Sequence, residues 1–375
     1  MSGIYIHIPF CKKKCHYCNF YSTPSDKYRS EIIAALQKEL YLQKSYLHGD
    51  VNTIYFGGGT PSLLTMDEIN RLLDTIYNNY EVNLAMEITL EVNPDDITAA
   101  KVKDLRTTGI NRISIGIQSF HAADLNYLNR IHTAAQGEYA IKTLQDAGFT
   151  DLSIDLIYGI PTLSMSNWKQ NLNKAIELEV AHISAYALTV EPKTNLEVLI
   201  NKQKLMGVSE TDTSNQFRYL MQFMKDNNYI QYEISNFCLP SHQSKHNTSY
   251  WEGVPYLGVG PSAHSYNQIS RQWNCSNLAQ YVESLSNNTV SFEIEQLSPM
   301  QKYNEFVMTS LRTNTGVNLM SLRHNFSGKY VDYFERILQK YSNSQLLTIT
   351  PVSICLTDEG RLFADGISSD FFITD

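Results

Sequence analysis

Several protein classes are excluded by what this 375-residue sequence lacks. Charged residues make up only 18% of it, and no block of lysine and arginine offsets the net charge of −8, which disfavours a nucleic-acid partner. No apolar run approaches the roughly 20 residues that a membrane helix needs. The first ten residues do not have the layout of a signal peptide. With 43% hydrophobic residues, the chain is expected to be a globular cytoplasmic protein.

Cysteine is also scarce, with six in the whole chain. A disulfide scaffold would be short and rich in cysteine, so this class is excluded. Three of the six are scattered and are expected to behave as small apolar residues: Cys238, Cys275 and Cys355. The other three fall within eight residues: Cys11, Cys15 and Cys18. Such a group in a reducing compartment predicts a metal site.

The first half of the chain alternates short β-type apolar runs with longer helical stretches. Strands are predicted at Ile4–Ile8, Val51–Phe56, Glu87–Val92, Arg112–Ile117, Leu152–Tyr158 and Ile183–Thr189. Helices are predicted at Lys27–Leu47, Met66–Asn78, Ala99–Thr107, Ala134–Ala147 and Met165–Leu178. Six successive units of this kind predict an α/β fold with a parallel sheet. We expect a partial (β/α)6 TIM-like barrel, and a flat doubly wound sheet is the alternative.

The pattern changes after the sixth unit. Lys202–Asn227 is predicted to be helical, and Tyr229–Phe237 to be a strand with its own turn. A stretch rich in Gly, Pro, Ser and Asn follows from Cys238 to Asn277, and its length indicates a functional loop.

The C-terminal segment predicts a small α+β, winged-helix-like attachment. Its expected elements are helices at Pro299–Arg312, Lys329–Ser342 and Asp358–Asp365 and a β segment at Leu347–Leu356. Because it lacks a basic recognition face, a structural lid is favoured over DNA binding. We therefore predict two domains, 1–235 and 236–375.

The three clustered cysteines have the spacing Cys11-x3-Cys15-x2-Cys18, in the loop after the first strand. A [4Fe–4S] cluster normally has four thiolate ligands. Here position 20 is Phe, so three thiolates would leave one iron open to another ligand. Zinc, completed by His7 or His16, is the alternative, but structural zinc ligands usually come as two separated pairs. The iron–sulfur interpretation is favoured.

The segment YIHIPFCKKKCHYCNF resembles the cluster motif of radical S-adenosylmethionine (SAM) enzymes. Within them it is similar to the anaerobic, oxygen-independent coproporphyrinogen III oxidase family, and especially to its heme chaperone branch. Five further segments carry the resemblance in the same order: GGGTPS at 57–62, TLEVNP at 89–94, NRISIGIQSF at 111–120, DLIYGIP at 155–161 and HNTSYW at 246–251.

The resemblance implies a [4Fe–4S] cluster whose open iron is chelated by SAM, and an electron donor that reduces the cluster so that a 5′-deoxyadenosyl radical forms. It places Gly58, Gly59 and Thr60 at the methionine moiety of SAM. Further implied SAM contacts are Tyr5, Tyr17, Glu91, Gln118, Arg130, Asp155, Thr189 and His264. The residues by themselves leave plainer alternatives, a tight turn for the glycines and a salt bridge between Arg130 and one of these acids, such as Asp155.

The HNTSYW segment resembles a motif associated with heme binding in the chaperone branch. His246 offers an axial imidazole, and Tyr250 and Trp251 offer flat surfaces for a macrocycle. The alternative is a packed aromatic loop with one hydrogen-bonded histidine.

Two departures distinguish the relatives. The decarboxylating oxidase carries a further cysteine where this chain has Phe20, and it has an N-terminal extension where only four residues precede Tyr5. Both favour a heme chaperone, with heme or a porphyrin as cargo and heme-accepting proteins as partners, and with membrane contact only through an acceptor. The alternative is an oxidoreductase that decarboxylates coproporphyrinogen III to protoporphyrinogen IX. A non-catalytic cluster sensor is disfavoured by the complete SAM motif set.

Overall fold

The structure is a computed structural model that describes residues 1–25 and 27–374. Within these ranges the strands, β1 to β15, are Ser2–Ile8, Val51–Gly58, Val82–Val92, Arg112–Gln118, Leu152–Tyr158, His182–Ala187, Ile230–Glu233, Asn236–Cys238, Tyr256–Val259, His264–Tyr266, Ser270–Asn274, Phe292–Gln296, Val317–Asn318, Leu347–Ile349 and Ser353–Leu356. The helices, α1 to α15, are Arg29–Leu42, Met66–Asn79, Ala99–Leu105, Ala122–Tyr127, Ala134–Asp146, Met165–Glu177, Asn195–Asn201, Glu210–Asp226, Lys245–Trp251, Leu278–Ser286, Pro299–Arg312, Leu319–Asn325, Gly328–Lys340, Asp358–Arg361 and Ala364–Asp370.

Strands β1 to β6 form the centre of the main sheet, in sequence order and all parallel. Their side chains are mostly buried on both faces, which is why these segments read as nearly continuous apolar runs. Helices connect successive strands, as parallel pairing requires. The α/β architecture predicted from the sequence is confirmed.

Side-chain caps fix several helix starts. The Thr65 hydroxyl accepts a hydrogen bond from the Glu68 amide, and the Glu68 carboxylate accepts one from the Thr65 amide. The same reciprocal box is present at Thr133 and at Ser298. Such caps are local in sequence, so the starts of these helices were predictable to the residue.

The main sheet extends beyond both edges of the parallel core. Strands β8 and β7 add antiparallel next to β6, while β9 pairs parallel with β1 and leads into β10, β11 and β12. The loop predicted over 238–277 is therefore wrong, because this stretch contains α9 and three strands, whereas its functional role stays a prediction. Its Gly, Pro, Ser and Asn residues lie largely in the turns between these short elements.

The helix predicted over Lys202–Asn227 is also wrong in its first part. Helix α7 ends at Asn201, and α8 begins at Glu210 with the Ser209 side chain capping the Asp212 amide. Between them Gln203 has a φ of 54°, which a continuous helix does not allow. The predicted helix over Asp358–Asp365 likewise divides into α14 and α15.

Two hydrophobic cores organise the packing of the described residues. The larger fills the space between β1–β6 and their helices and reaches Leu285, and the smaller runs from Tyr303 to Phe371. Helices α11 to α13 with the antiparallel sheet β13-β15-β14 give the second unit its winged-helix-like order. The domain boundary at residue 235 stays a prediction, whereas the main sheet continues to Gln296. No helix in the described ranges is long and apolar enough to cross a membrane.

Candidate functional site

A cavity of about 480 Å³ lies at the carboxyl ends of the parallel strands, where α/β barrels place their sites. Most of the residues implied by the motifs line it. They are Cys11, Cys15, Tyr17, Cys18, Gly58, Gly59, Thr60, Glu91, Gln118, Arg130, Asp155 and Thr189. We call this space the cysteine cavity.

The loop that carries the cysteines is fixed by backbone hydrogen bonds. The Cys11 amide donates to the Thr23 carbonyl at 3.0 Å, and the His16 amide donates to the Leu128 carbonyl at 3.1 Å. Burial and the two neighbouring thiols raise the pKa of Cys18. A thiolate at Cys18 is therefore costly unless a cation lies among the three sulfurs, which is the condition that a bound metal cluster satisfies.

Both histidines of the zinc alternative already have hydrogen-bond partners. The His7 ring pairs with the Tyr21 carbonyl at 2.9 Å and with the Tyr5 hydroxyl at 3.3 Å. His16 Nδ1 pairs with the Tyr127 carbonyl at 3.1 Å. No group of three or more His, Cys, Asp or Glu side chains in the described chain is arranged to hold a single metal ion. Thiols distributed around one cavity suit a cluster, in which each thiolate binds a different iron.

The glycine triplet at 57–59 allows the backbone at the end of β2 to lie close to the backbone of the cysteine loop. Gly58 has a φ of +104°, a conformation that residues with a side chain rarely adopt. A Cβ on Gly59 would lie 2.5 Å from the Phe10 carbonyl oxygen. The space between the end of β2 and the cysteine loop thus remains open only if these positions are glycine.

The carboxyl groups of Glu91 and Asp155 face the cysteine cavity, and neither has an ion-pair partner among the described residues. Glu91 accepts a hydrogen bond from the Tyr55 hydroxyl at 2.8 Å and one from the Gly58 amide. Burial, reinforced by the charge of Asp155, raises the pKa of Glu91 to about 7. Burial raises the pKa of Asp155 to about 6, although Ser184 and Ser114 donate to it. Polar ligand groups are the partners that such carboxyls lack.

Arg130 is bound by groups other than these carboxylates. Its guanidinium donates to the Asn93 side chain at 2.7 Å, to the Gly116 carbonyl at 2.8 Å and to the Cys15 sulfur at 3.4 Å. Its Nε is buried and has no partner within the described residues. The alternative of a salt bridge to Asp155 is therefore wrong.

Asn93 is a site residue that the sequence reasoning did not single out. Its amide donates to Thr60 at 3.0 Å, and Thr60 donates to the Cys11 sulfur at 3.4 Å. A hydrogen-bonded row thus connects Arg130 to the cysteine loop. The sequence did contain a signal for this role, because Asn93 lies in the TLEVNP segment that carries the family resemblance.

Gln118 ends β4 in a left-handed conformation with a φ of 66°, which is costly for a non-glycine residue. It is buried and lines the cysteine cavity. Residues in such costly conformations persist where the surrounding structure stabilises them, and they cluster at functional sites.

A second cavity of about 590 Å³ adjoins the first, and we call it the aromatic cavity. The two share Asn19, Phe20, Tyr55, Gly58, Glu91, Tyr186 and Asn247. The aromatic cavity is further lined by Tyr5, His7, Tyr21, His246, Tyr250, Tyr256, Ser262, Ala263 and His264. Tyr5 and His264, which the resemblance implies as SAM contacts, thus lie in the wall of the aromatic cavity.

His246 lies on α9 at the wall of the aromatic cavity and is buried. Its Nδ1 pairs with the Thr53 hydroxyl and its Nε2 with the Tyr250 hydroxyl, each at 2.8 Å, and its ring stacks on Tyr55 at 4.9 Å. Burial lowers the pKa of His246 to about 3. Because both ring nitrogens have partners, axial ligation by His246 would require one of these two bonds to break.

Trp251 is separated from the other aromatic residues of its segment. It lines neither cavity, and its ring lies 5.3 Å from the guanidinium of Arg312 on α11. The structure therefore places Trp251 at the junction with the C-terminal unit. A six-residue segment on a helix turns its side chains in different directions, so Tyr250 and Trp251 could not share one wall.

Glu87 fixes the position of α9 from the neighbouring sheet. Its carboxylate accepts hydrogen bonds from the Lys245 amide at 2.8 Å and the His246 amide at 2.9 Å. Arg112 lies 3.7 Å away, and both side chains are buried. A negative charge at a helix start is stabilising, and this one comes from β3, more than 150 residues earlier in the chain.

We expect Glu87→Gln to lower the free energy of unfolding by about 2 kcal/mol, because one helix-start amide loses its acceptor and Arg112 keeps only Asp151 of its two neighbouring carboxylates. Amide hydrogen exchange over 245–251 should accelerate more than exchange in β1–β6. Chemical denaturation and exchange mass spectrometry measure the two effects. Glu81→Gln, at an exposed position just before β3, is the matched control. Equal exchange in both variants would contradict the anchoring role.

Comparisons with known proteins bear on the same segments. A model of the radical SAM superfamily matches residues 5–175, and a model of the HemN C-terminal domain matches residues 297–363. A heme chaperone HemW from Lactococcus lactis is 32% identical over 100% of this chain and 98% of its own length. The HemW of Bacillus subtilis is 30% identical over 99% of both chains.

This chain belongs to the HemW family of radical SAM proteins. The solved structure of coproporphyrinogen III oxidase (HemN) from Escherichia coli superposes with a TM-score of 0.84 at 24% identity, over 99% of this chain and 89% of that one. That likeness supports the fold. As members of the radical SAM superfamily, HemW proteins such as this one use a [4Fe–4S] cluster and SAM. The cysteine cavity fits both groups. It provides three thiols, a glycine backbone that a ligand can approach closely, and an arginine Nε that has no partner among the described residues.

Proposed function

We propose that this HemW-family protein is a heme chaperone, which binds heme and transfers it to acceptor proteins. The observation that carries the proposal is the aromatic cavity, because it shares a wall with the cavity that carries the cluster cysteines. The full-length similarity to proteins named heme chaperones supports it. Flat aromatic side chains around an open space suit a planar macrocycle.

In this proposal Cys11, Cys15 and Cys18 hold the [4Fe–4S] cluster. When bound, the cluster and SAM supply one-electron cleavage of the sulfonium carbon–sulfur bond. Arg130 places a positive charge beside the Cys15 sulfur and leaves its Nε for a ligand.

The other side chains of the cysteine cavity would hold SAM. Gly58, Gly59 and Thr60 present the backbone to its methionine moiety. Glu91 and Asp155 accept hydrogen bonds from hydroxyl groups of the ligand when they are ionised. The remaining contacts are Tyr17, Gln118 and Thr189.

The heme site is proposed at the aromatic cavity. Tyr250 and His246 form its inner wall, and Tyr5 and His264 belong to this cavity. Trp251 connects α9 to the C-terminal unit, which is the position for relaying contact with an acceptor protein.

The proposal includes the partners that heme transfer needs. These are an electron donor that reduces the cluster and a heme-accepting protein, through which the chaperone contacts a membrane peripherally. We propose a cytoplasmic location, where the cluster thiols stay reduced. Nucleic acid is not among the proposed partners.

A side-by-side assay of the anaerobically reconstituted protein tests this function. We expect one heme bound per chain and no loss of propionate carboxyl groups when coproporphyrinogen III is supplied with SAM and a reductant. Absorbance titration measures the first result and mass spectrometry of the porphyrin products the second. Conversion to protoporphyrinogen IX would instead identify the oxidase activity. Failure to bind heme would contradict the chaperone.

A further inference from the structure

Two aromatic side chains stand exposed at the wall shared by the two cavities. Phe20 follows the third cluster cysteine and is 60% exposed, and Tyr186 lies in β6 and is 42% exposed. They come from opposite ends of the parallel core, since β1 and β6 are its first and last strands. Neither ring contacts another aromatic ring or a cation within the described residues. Exposed aromatic surface at a cavity mouth marks a ligand or partner.

Two cations stand beside this aromatic surface. Lys13 and Lys14 line the cysteine cavity, are exposed, and have no carboxylate partner within the described chain. The preceding residue, Lys12, differs, because its ammonium is paired with Asp95 and Asp96. The wall shared by the two cavities and the lysines of the cysteine cavity, which together we call the common mouth, therefore combine apolar flat faces with two positive charges that have no carboxylate partner among the described residues.

We propose that Phe20 and Tyr186 hold the macrocycle of heme across the common mouth of the two cavities, and that Lys13 and Lys14 bind its propionates. The inference rests on the proposed heme function and names the side chains that carry it out. A porphyrin with two propionates has the flat apolar body and the two negative charges that complement this surface. His246 is not required as an iron ligand in this arrangement.

This arrangement predicts that binding depends on the ring and its carboxylates more than on the iron. Protoporphyrin IX without metal should bind within about tenfold of hemin, because aromatic stacking and ion pairs do not involve the metal. The dimethyl ester of protoporphyrin IX should bind more weakly and lose its salt dependence, since it lacks the charges that the lysines bind.

The test is a titration of hemin and the two porphyrins into the full-length reconstituted protein. Phe20→Ala and Tyr186→Ala should each raise the dissociation constant of hemin about tenfold, and Phe20→Trp should restore binding. Matched controls are Phe363→Ala and Tyr139→Ala, because these rings are 52% and 53% exposed and line neither cavity. Iron content and SAM affinity are measured for every variant.

The outcomes separate the inference from the function on which it rests. Wild-type protein that binds no hemin would overturn the proposed function. If the wild-type protein binds hemin and the dissociation constants of Phe20→Ala and Tyr186→Ala are unchanged, the proposed role of these two rings is overturned while the proposed function stands. If Phe20→Ala loses its cluster, Tyr186→Ala decides, because β6 is remote from the cysteine loop in sequence. Hemin binding without any binding of metal-free protoporphyrin would also overturn the inference, in favour of iron ligation.

Discussion

Cys15→Ser is expected to abolish the iron–sulfur cluster. After anaerobic reconstitution the variant should contain less than about a tenth of the wild-type iron and lack the brown absorbance, because only three thiolates are proposed to hold the cluster. Cys15 is also the cysteine whose sulfur accepts a hydrogen bond from Arg130. Iron analysis and absorbance spectroscopy measure the result.

Cys275→Ser is the matched control for this experiment. Cys275 is a free, partly buried thiol that lines neither cavity. The Cys275→Ser variant should retain a full iron–sulfur cluster after the same reconstitution. A full cluster in Cys15→Ser, or an equal loss in both variants, would contradict the ligand assignment.

Glu91→Gln is expected to stabilise the protein without ligands while weakening SAM binding. Burial raises the pKa of Glu91 from its usual 4.5 to about 7, so the folded chain holds this proton more tightly than the unfolded chain. The free energy of unfolding therefore falls as pH rises from about 4.5 to 7, and above 7 the ionised carboxylate costs roughly 3 kcal/mol. Glutamine is neutral and should recover this energy at pH 8.

The affinity for SAM should change in the opposite direction. A carboxylate accepts stronger hydrogen bonds than an amide, so Glu91→Gln should weaken SAM binding about tenfold. Denaturation at pH 5 and pH 8 and calorimetric titration of SAM measure both effects. Glu293→Gln, exposed on β12, should leave both unchanged. Unchanged SAM affinity in Glu91→Gln would contradict its place at the ligand.

Much of the fold was predictable because its signals are local. The six parallel strands appear as buried apolar runs, and the strand over Leu152–Tyr158 has the predicted bounds. Predictions failed where elements are short. In 238–277 the strands have three to five residues, and β9 pairs with β1 from the start of the chain, so the turn residues dominate the local pattern.

The cysteine spacing with its missing fourth ligand, the order of the motifs and the family that they indicate can all be read from the amino-acid sequence. The tertiary structure was needed to show which partners the site residues have. It gave His246 a bond to Thr53, 193 residues away, gave Arg130 an asparagine and a cysteine instead of an aspartate, and placed Tyr5 and His264 in the second cavity. The physical reason is that a motif fixes which side chains are available, whereas hydrogen-bond partners depend on how strands distant in sequence are brought side by side.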